Sequence, residues 1–320
     1  MEHTETESVM KLIDLHCDTM YQLYKLKSNA LRHNDGHVDL EKLHLADSYI
    51  QTFALFDSKE KYHYSFEHLQ EYLAFGLDVV HQHSDELTMI TAPNQLTENR
   101  LHGLLSLEDA GSLNGELSRL DQLYAGGIRM IALTWNHENS LGYPNSYDPS
   151  EMKRGLKPFG IDAVRHMNEI GIIVDVSHLS DGGFHDVAKH STQPFIASHS
   201  DARALKNHPR NLSDEMLRTI ADRGGVCGVN FYAPFLGEDP VSRVDAIVRH
   251  IDHMRNVAGI DTIAIGTDFD GITCDLEIAD ISQTEKLFYA LKAKGYHDND
   301  LEKIWHKNAL RAFRDVLQDT

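Results

Sequence analysis

The sequence predicts an α/β fold, a (β/α)8 barrel of the TIM type, from three observations. Eight short apolar runs have the length and composition of strands. Several of the segments between them carry apolar residues at helical spacing. Residues of types that bind metals follow directly after several strands, and the active site of such a barrel lies at the carboxyl ends of its strands. With 320 residues, 41% of them hydrophobic, and no Pro/Ser-rich linker, the chain is predicted to be one barrel domain over residues 1–320 that ends in C-terminal helices.

Strands and helices are predicted to alternate along the chain, as in a parallel barrel. The predicted strands span residues 9–18, 49–56, 101–107, 127–134, 171–177, 194–198, 225–232 and 262–267. The predicted helices span residues 40–47, 62–84, 158–170, 179–189, 213–223, 241–258, 284–294 and 300–317. Ser213 is of a type that caps helices and is followed by acidic residues, which favours a helix start at this position.

The first predicted strand ends in a His-x-Asp pair. Side chains alternate faces along a strand, so Asp14, His16 and Asp18 are expected to share one side. Cys17 then points to the other side as a packed thiol. An imidazole and a carboxylate at one strand end offer two ligands that zinc accepts. His-x-Asp pairs are common by chance. This pair is a candidate metal site because it lies at the end of a strand.

Two more histidines follow consecutive strands, because His178 ends the fifth predicted strand and His199 ends the sixth. For either histidine alone, a polar residue at a strand end is the simpler interpretation, since the chain has 21 histidines. Together, and with Glu108 directly after the third strand, they favour a metal site at the barrel mouth. Asp175 is expected to face away from His178 and is interpreted as a structural carboxylate or as one that supports the metal ligands from behind.

Candidate substrate and proton-transfer groups follow other strands. The loop after the fourth strand reads WNHENSLG and is rich in hydrogen-bonding groups. The loop after the sixth strand carries Arg203 and Arg210, and a guanidinium binds a carboxylate through two parallel hydrogen bonds. A salt bridge within the loop is the alternative role for either arginine. The eighth strand is followed by Asp268 and Asp270.

The strand-end residues together predict a hydrolytic reaction. Three histidines and two carboxylates suit two zinc-like ions when one carboxylate bridges them. Paired ions can hold a hydroxide between them as nucleophile and polarise the carbonyl under attack. Asp268, which this ligand count leaves over, would then be the general base and acid. The residues therefore predict hydrolysis of an amide or ester, with Arg210 or Arg203 binding a carboxylate of the substrate.

Six strings of the sequence resemble, in their order and spacing, those of one known family. They are DLHCDT, LSLEDA, VDVSH, SHSDARAL, NHPRNL and IGTDFDG. The chain is similar to the membrane (renal-type) dipeptidases, a branch of the amidohydrolase barrels, from about Leu12 to the C-terminal helices. It resembles the soluble bacterial members, which often act on dipeptides with a D-residue at the C-terminal position.

The resemblance implies a zinc-dependent dipeptidase with two Zn²⁺ ions bridged by a glutamate and a hydroxide. The implied ligands are His16 and Asp18 on one ion, His178 and His199 on the other, and Glu108 as the bridge. The resemblance also implies that Arg210 holds the C-terminal carboxylate of a dipeptide. It assigns the proton transfer to Asp268, with Asp270 as the competing candidate.

The family pattern is incomplete in the loop after the fourth strand. The family usually has a histidine in this loop that stabilises the oxyanion, and here Asn136 occupies that register. His137 lies one residue further on and could reach the carbonyl after a loop adjustment. We therefore predict His137 as a catalytic candidate and Asn136 as a substrate-binding candidate.

Composition limits the partners and the location of the protein. A net charge of −19 argues against nucleic acid as a partner. Three widely spaced cysteines indicate a reducing compartment rather than a disulfide framework. The polar, acidic start is not a signal peptide, and no apolar run reaches the roughly 18–20 residues that span a bilayer. We predict a cytoplasmic protein with a small dipeptide substrate and no membrane association, and a homodimer is left open.

Two alternative functions stay open at this point. The same metal centre could serve another amidohydrolase reaction, on an acyl-amino acid or a lactone, because the barrel fold does not fix the substrate. The role of Arg210 distinguishes a dipeptidase from a lactone hydrolase, since a neutral lactone has no carboxylate for Arg210 to bind. The second alternative is a non-catalytic metal-binding barrel. Asp268 argues against this alternative, because a purely structural zinc site needs no spare carboxylate.

Overall fold

The computed structural model describes residues 10–319 of the chain. Its strands are β1 (Leu12–Cys17), β2 (Ser48–Phe56), β3 (Leu87–Met89), β4 (Leu101–Glu108), β5 (Ile128–Ala132), β6 (Ile173–Asp175), β7 (Cys227–Val229), β8 (Val241–Ser242), β9 (Ile263–Ile265) and β10 (Asp275–Leu276). Residue 9, at the start of the predicted first strand, lies outside the described residues. Most of the N-terminal segment, in which we predict no signal peptide, also lies outside the described residues.

Eight parallel strand segments close into a ring, which confirms the predicted (β/α)8 barrel. Seven of them pair in the order β6-β5-β4-β2-β1-β9-β7. The predicted sixth strand, residues 194–198, closes the ring through two isolated parallel bridges. On one side Ile196 donates a backbone hydrogen bond of 3.0 Å to Val174, and on the other Ala197 donates one of 3.0 Å to Val226. β3 pairs with the start of β4, and β8 and β10 form a separate small sheet.

Helices surround the ring. They are α1 (Thr19–Leu26), α2 (Leu40–Leu45), α3 (Lys59–Tyr62), α4 (Phe66–His81), α5 (Ser118–Ala125), α6 (Pro149–Met152), α7 (Pro158–Ile170), α8 (Asp181–His190), α9 (Asp214–Asp222), α10 (Ala233–Leu236), α11 (Val244–Ala258), α12 (Glu285–Ala293), α13 (Asp298–Glu302) and α14 (Asn308–Val316). Short 3₁₀ turns lie at Pro93–Gln95, Gly111–Leu113, Ile260–Thr262 and Ile281–Gln283.

Each predicted helix is present, and the largest difference concerns the last one. The predicted helix 300–317 is divided into α13 and α14 by a π-helical turn at Lys303–Lys307. The predicted cap of α9 is confirmed, because the Ser213 hydroxyl accepts a hydrogen bond of 3.2 Å from the Met216 N–H. Helix α1 was not predicted from the sequence. It begins directly after Asp18 and so lies beside the barrel mouth.

Apolar side chains fill the inside of the ring away from the strand ends. Ile13, Leu104 and Ile173 belong to this inner cluster, and Phe313 of α14 packs against it. A larger apolar cluster lies between the strands and the surrounding helices. The inner cluster leaves the polar groups at one end of the barrel, where the strands finish.

The three cysteines lie within the described residues and are free, and Cys17 and Cys227 are buried. In residues 10–319, no helix combines the length and the apolar composition that crossing a membrane requires. The cytoplasmic location and the homodimer stay predictions.

Candidate metal centre and active site

The six strand-end residues predicted as metal or proton-transfer groups lie together at the carboxyl mouth of the barrel. Five are buried, and the sixth, Asp268, has 15% of its side chain exposed. They follow or end β1, β4, β6, the segment 194–198 and β9, whose carboxyl ends meet at one edge of the ring. The six residues are His16, Asp18, Glu108, His178, His199 and Asp268.

Glu108 lies at the centre of this cluster. Its Oε1 is 3.0 Å from His178 Nε2 and 3.6 Å from His199 Nε2. Its Oε2 is 3.8 Å from His16 Nε2, which in turn lies 3.3 Å from Asp18 Oδ2. Glu108 thus presents one oxygen to each of two groups, which we name the first half-site (His16 and Asp18) and the second half-site (His178 and His199).

The two imidazoles of the second half-site are held so that their Nε2 atoms face each other. His178 Nδ1 lies 3.1 Å from the Asn136 Oδ1, and His199 Nδ1 lies 2.7 Å from the Ser198 hydroxyl. Burial lowers the pKa of both histidines well below the usual value, so both rings are neutral. With the hydrogens on Nδ1, each Nε2 carries a lone pair, and the two Nε2 atoms are 3.1 Å apart. Lone pairs at this distance repel unless a cation binds them, so this donor set fits a metal ion.

Buried carboxyl groups are concentrated beside these rings. Burial and the nearby Asp18 raise the pKa of Glu108 well above its usual value. Burial also raises the pKa of Asp268 to about 6, although His16 opposes the shift. Burial disfavours the charge of His16, but Glu108 and Asp18 outweigh burial and raise its pKa to about 10. Divalent cations would relieve this crowding of buried carboxylates, as they do in metal centres.

Arg210 is the buried cation next to the cluster. Its guanidinium donates to the His199 carbonyl oxygen at 2.9 Å and to the Ser200 hydroxyl at 3.3 Å. Among residues 10–319 no carboxylate forms an ion pair with it, and its Nε has no hydrogen-bond partner. Arg203, the other predicted candidate, forms both hydrogen bonds of a paired contact with Asp181, at 2.7 and 2.8 Å. Arg203 therefore forms a salt bridge between this loop and α8, whereas the charge of Arg210 has no ion-pair partner among the described residues and can bind a ligand.

Asp268 and Asp270 are distinguished by their partners. Asp268 has one oxygen held by Asn230 at 2.8 Å, and its other oxygen faces His16 at 3.9 Å. Both oxygens of Asp270 are engaged at 2.6 Å, one by the Thr19 hydroxyl and one by the His37 backbone N–H. Asp270 fixes the loop that follows α1, and Asp268 has an oxygen directed into the cluster.

Asn136 and His137 point in different directions. Asn136 contacts His178 and borders the cavity above the cluster. His137 Nε2 contacts the carboxylate of Glu60 in a partly exposed pair, so the structure does not bring this ring into the cluster. The loop therefore presents an amide rather than an imidazole to the cavity.

A cavity of about 320 Å³ opens above the cluster. Its aromatic lining was not predicted from the sequence. In this lining Phe56 lies between Tyr21 and Trp135, with ring centroids 5.3 and 4.8 Å away. Tyr232 and Phe235 line another part of the wall. Phe56 and Tyr232 are the last residues of two predicted strands, so the position of these aromatic residues at strand ends was a signal that could have found them.

A parallel barrel with histidines and buried carboxylates at its carboxyl mouth defines a metal-dependent hydrolase. A family model described as Membrane dipeptidase (Peptidase family M19) matches residues 2–319. The chain belongs to this family and is a metallo-dipeptidase.

Relatives and solved structures agree with this assignment. An uncharacterized protein of the pqqA 5′ region of Klebsiella pneumoniae is 41% identical over 222 residues, which cover 66% of this chain and 81% of that protein. An uncharacterized dipeptidase of Schizosaccharomyces pombe is 34% identical over 219 residues, which cover 68% of this chain and 53% of that protein. A metallopeptidase structure from Rhodobacter sphaeroides, liganded with a phosphinate mimic of the dipeptide L-Ala-D-Ala, has the same fold. Its TM-score is 0.88 at 24% identity, over 96% of this chain and 99% of that one.

Proposed function

We propose that this protein hydrolyses dipeptides at a centre of two zinc ions and accepts a D-residue at the C-terminal position. The observation that carries the proposal is the position of Glu108, whose two oxygens face His178 at 3.0 Å and His16 at 3.8 Å. A carboxylate placed in this way suits a bridge between two ions. Acceptance of a D-residue is supported by the fold shared with the Rhodobacter sphaeroides metallopeptidase that holds a mimic of L-Ala-D-Ala.

The proposed ligands divide between the two half-sites. His16 and Asp18 would hold one ion, His178 and His199 would hold the other, and Glu108 would serve both. Zinc ions bound there would lower the pKa of a water molecule and polarise the carbonyl of the substrate. The chain supplies the remaining groups of the reaction.

Asp268 is the proposed proton carrier. Asn230 fixes one carboxylate oxygen at 2.8 Å, and the other is directed toward the cluster, where the attacking water must lie. That oxygen takes the proton from the water and returns it to the nitrogen of the leaving amine. A pKa raised to about 6 by burial suits a group that both accepts and donates a proton near neutral pH.

Arg210 is the proposed anchor for the C-terminal carboxylate of the substrate. It is buried, it lacks an ion-pair partner among the described residues, and it lies beside Phe235 of the cavity wall at 5.4 Å. A cavity of about 320 Å³ is near the lower end of ligand pockets, which run from about 300 Å³ upward. A small substrate with one carboxylate therefore fits both the charge and the volume of this site.

The experiment is to measure amino-acid release from L-Ala-D-Ala and L-Ala-L-Ala by purified, zinc-loaded protein, with chelated protein as the control. We expect zinc-dependent turnover of both dipeptides. Turnover of the L,L substrate alone would remove the D-residue from the proposal. No turnover of either dipeptide, with two zinc ions bound per chain, would favour the alternative of an acyl-amino acid or lactone hydrolase.

A further inference from the structure

The ring of His199 is supported on its far side by a hydroxyl and a carboxylate. Ser198 Oγ lies 2.7 Å from His199 Nδ1 and also contacts Asp175 Oδ2. Asp175 Oδ1 accepts backbone hydrogen bonds from Ser177 at 2.9 Å and from Ser198 at 3.0 Å. Asp175, Ser198 and His199 are buried, and we name these three residues the His199 relay.

The direction of each hydrogen bond in the relay follows from what its groups can donate. Two backbone N–H groups donate to Asp175 Oδ1, and the carboxylate accepts at Oδ2 as well, so the Ser198 hydroxyl gives its one hydrogen to Asp175. The lone pairs of that hydroxyl can then only accept, so His199 Nδ1 must carry a hydrogen. In a neutral ring this leaves the lone pair on Nε2, the atom that faces Glu108 Oε1 at 3.6 Å.

We propose that Ser198 is a positioning residue that couples the charge of Asp175 to His199 and fixes the ring in the form that binds metal. This inference rests on the proposed role of His199 as a ligand. Partners behind a ligating histidine fix its orientation and raise its basicity, and their loss typically weakens metal binding 10–100-fold. Of the two roles that the sequence left open for Asp175, the relay favours support of the metal centre, and it places Ser198 between the carboxylate and His199.

The two histidines of the second half-site are supported unequally. Among residues 10–319, the one hydrogen-bond contact of His178 Nδ1 is with the neutral amide of Asn136, which lies on a loop. His199 Nδ1 faces a hydroxyl that a carboxylate polarises, and Ser177 Oγ also accepts from the His199 backbone N–H at 3.3 Å. Of the two rings, His199 is therefore the one with the more firmly fixed tautomer.

Two substitutions test the relay by different routes. Ser198→Ala removes the acceptor of His199 Nδ1. Asp175→Asn keeps the shape, but its oxygen must still accept the two backbone N–H groups, so its amide nitrogen donates to Ser198 Oγ. The hydroxyl then has two neighbours that can accept its hydrogen, His199 Nδ1 at 2.7 Å and Ser177 Oγ at 3.3 Å. We expect it to turn to the nearer one, so that the ring proton moves to Nε2, the atom needed for metal. We expect both variants to bind zinc 10–100-fold more weakly in a competition titration against a chelator.

Ser106→Ala is the matched control, because the Ser106 hydroxyl is buried in the same barrel, two residues before Glu108, and has no hydrogen-bond partner within residues 10–319. Zinc affinity and thermal unfolding of this variant should match the wild type. If Ser198→Ala and Asp175→Asn bind zinc as tightly as Ser106→Ala, the relay is wrong.

A second measurement does not depend on metal. Nitrogen-15 NMR of the histidine rings in the metal-free full chain reports which nitrogen carries the hydrogen. We expect His199 to carry it on Nδ1 in the wild type and on Nε2 in Asp175→Asn, and a wild-type hydrogen on Nε2 would overturn the proposal. A wild type that fails to bind zinc would instead count against the proposed function, and the ring measurement would still decide the relay.

Discussion

Asp14 accepts two hydrogen bonds from Thr267, the residue directly before Asp268. The backbone N–H of Thr267 donates to Oδ1 at 2.9 Å and its hydroxyl to Oδ2 at 2.8 Å. Gln51 of β2 donates to Oδ2 at 3.0 Å. Simple alternation places Asp14 on the same side as His16 and Asp18. The register of β1 shifts after Asp14, and this side chain contacts residues beside β1 instead of joining the metal cluster. Asp14 therefore ties three strands together next to the proposed proton carrier.

Removing the Thr267 hydroxyl should misplace Asp268. We expect Thr267→Val to lower kcat by about 10–100-fold, because small displacements of a reacting group cost this much. KM and zinc content should change little, since Arg210 and the ligands keep their own contacts. Thr267→Ser, which keeps the hydroxyl, should restore most of kcat in the same assay. The control is Thr52→Val, because Thr52 is a buried barrel threonine whose hydroxyl has no hydrogen-bond partner in the described part of the chain. Equal rates for the two valine variants would show that the Asp14–Thr267 contact does not position Asp268.

Asp268→Asn tests the proton carrier directly. The amide cannot accept a proton from water, so we expect kcat to fall by about 10²–10⁴-fold. Zinc content, measured by atomic absorption, should stay at the wild-type level, because the five proposed ligands are unchanged. Loss of zinc from this variant would mean that Asp268 is itself a ligand.

Glu108→Gln tests the bridge. A neutral amide replaces the one carboxylate that faces both half-sites, so we expect both metal positions to lose occupancy and activity to be lost with them. Zinc per chain after dialysis against buffered free zinc is the measurement, with Ser106→Ala as the control from the same strand. Loss of only one of two ions would assign Glu108 to a single half-site.

The barrel could be predicted because its signals are local. Pro158 and Gly171 mark the two ends of α7, where proline suits the first turn and Gly171 has φ 80°. Strand ends could be placed in the same way, and the rule that parallel strands end at one edge then brought six residues together. The segment 194–198 makes only two bridges, so its role as a strand depends on ring closure rather than on local preference.

The parts of the site that could not be predicted depend on contacts between distant residues. Arg203 and Arg210 have the same side chain in one loop, and only the position of Asp181 on α8 shows which is paired. The contact of Asn136 with His178 spans 42 residues, and that of Asp14 with Thr267 spans 253. No local pattern contains such pairs, because they form only when the barrel closes.

Arg210→Ala should raise KM for a dipeptide by about 10–100-fold, the range expected when a charge-assisted hydrogen bond to a carboxylate is lost. The effect on a neutral lactone or ester should be small. Arg203→Ala is the matched control from the same loop, because its guanidinium is paired with Asp181 and neither residue lines the cavity. A similar rise in KM for both variants would show that the loop conformation, not the Arg210 charge, determines substrate binding.

His250 of α11 is fully buried and is held as a neutral ring. Its Nδ1 accepts the Ala202 N–H at 3.0 Å, and its Nε2 donates to the Leu236 carbonyl oxygen at 3.1 Å. Burial lowers the pKa of His250 to about 4. Asp201 lies 3.7 Å away, but burial raises the pKa of that carboxyl well above its usual value, so it supplies little charge to stabilise a protonated ring.

The stability of the fold should therefore depend on pH through His250. Between about pH 6.5, the ordinary pKa of histidine, and about pH 4, the pKa of His250 in the fold, the unfolded chain binds a proton on this ring that the folded chain does not. This contribution to the free energy of unfolding is fully present above about 6.5 and falls by about 3 kcal/mol as the pH drops to about 4. Urea unfolding at about pH 7 and about pH 4.5 measures it. His250→Gln should have a lower stability at neutral pH but a smaller loss between the two pH values, whereas His81→Gln, at the exposed end of α4, should follow the wild type. An unchanged loss in His250→Gln would assign the acid sensitivity to other groups.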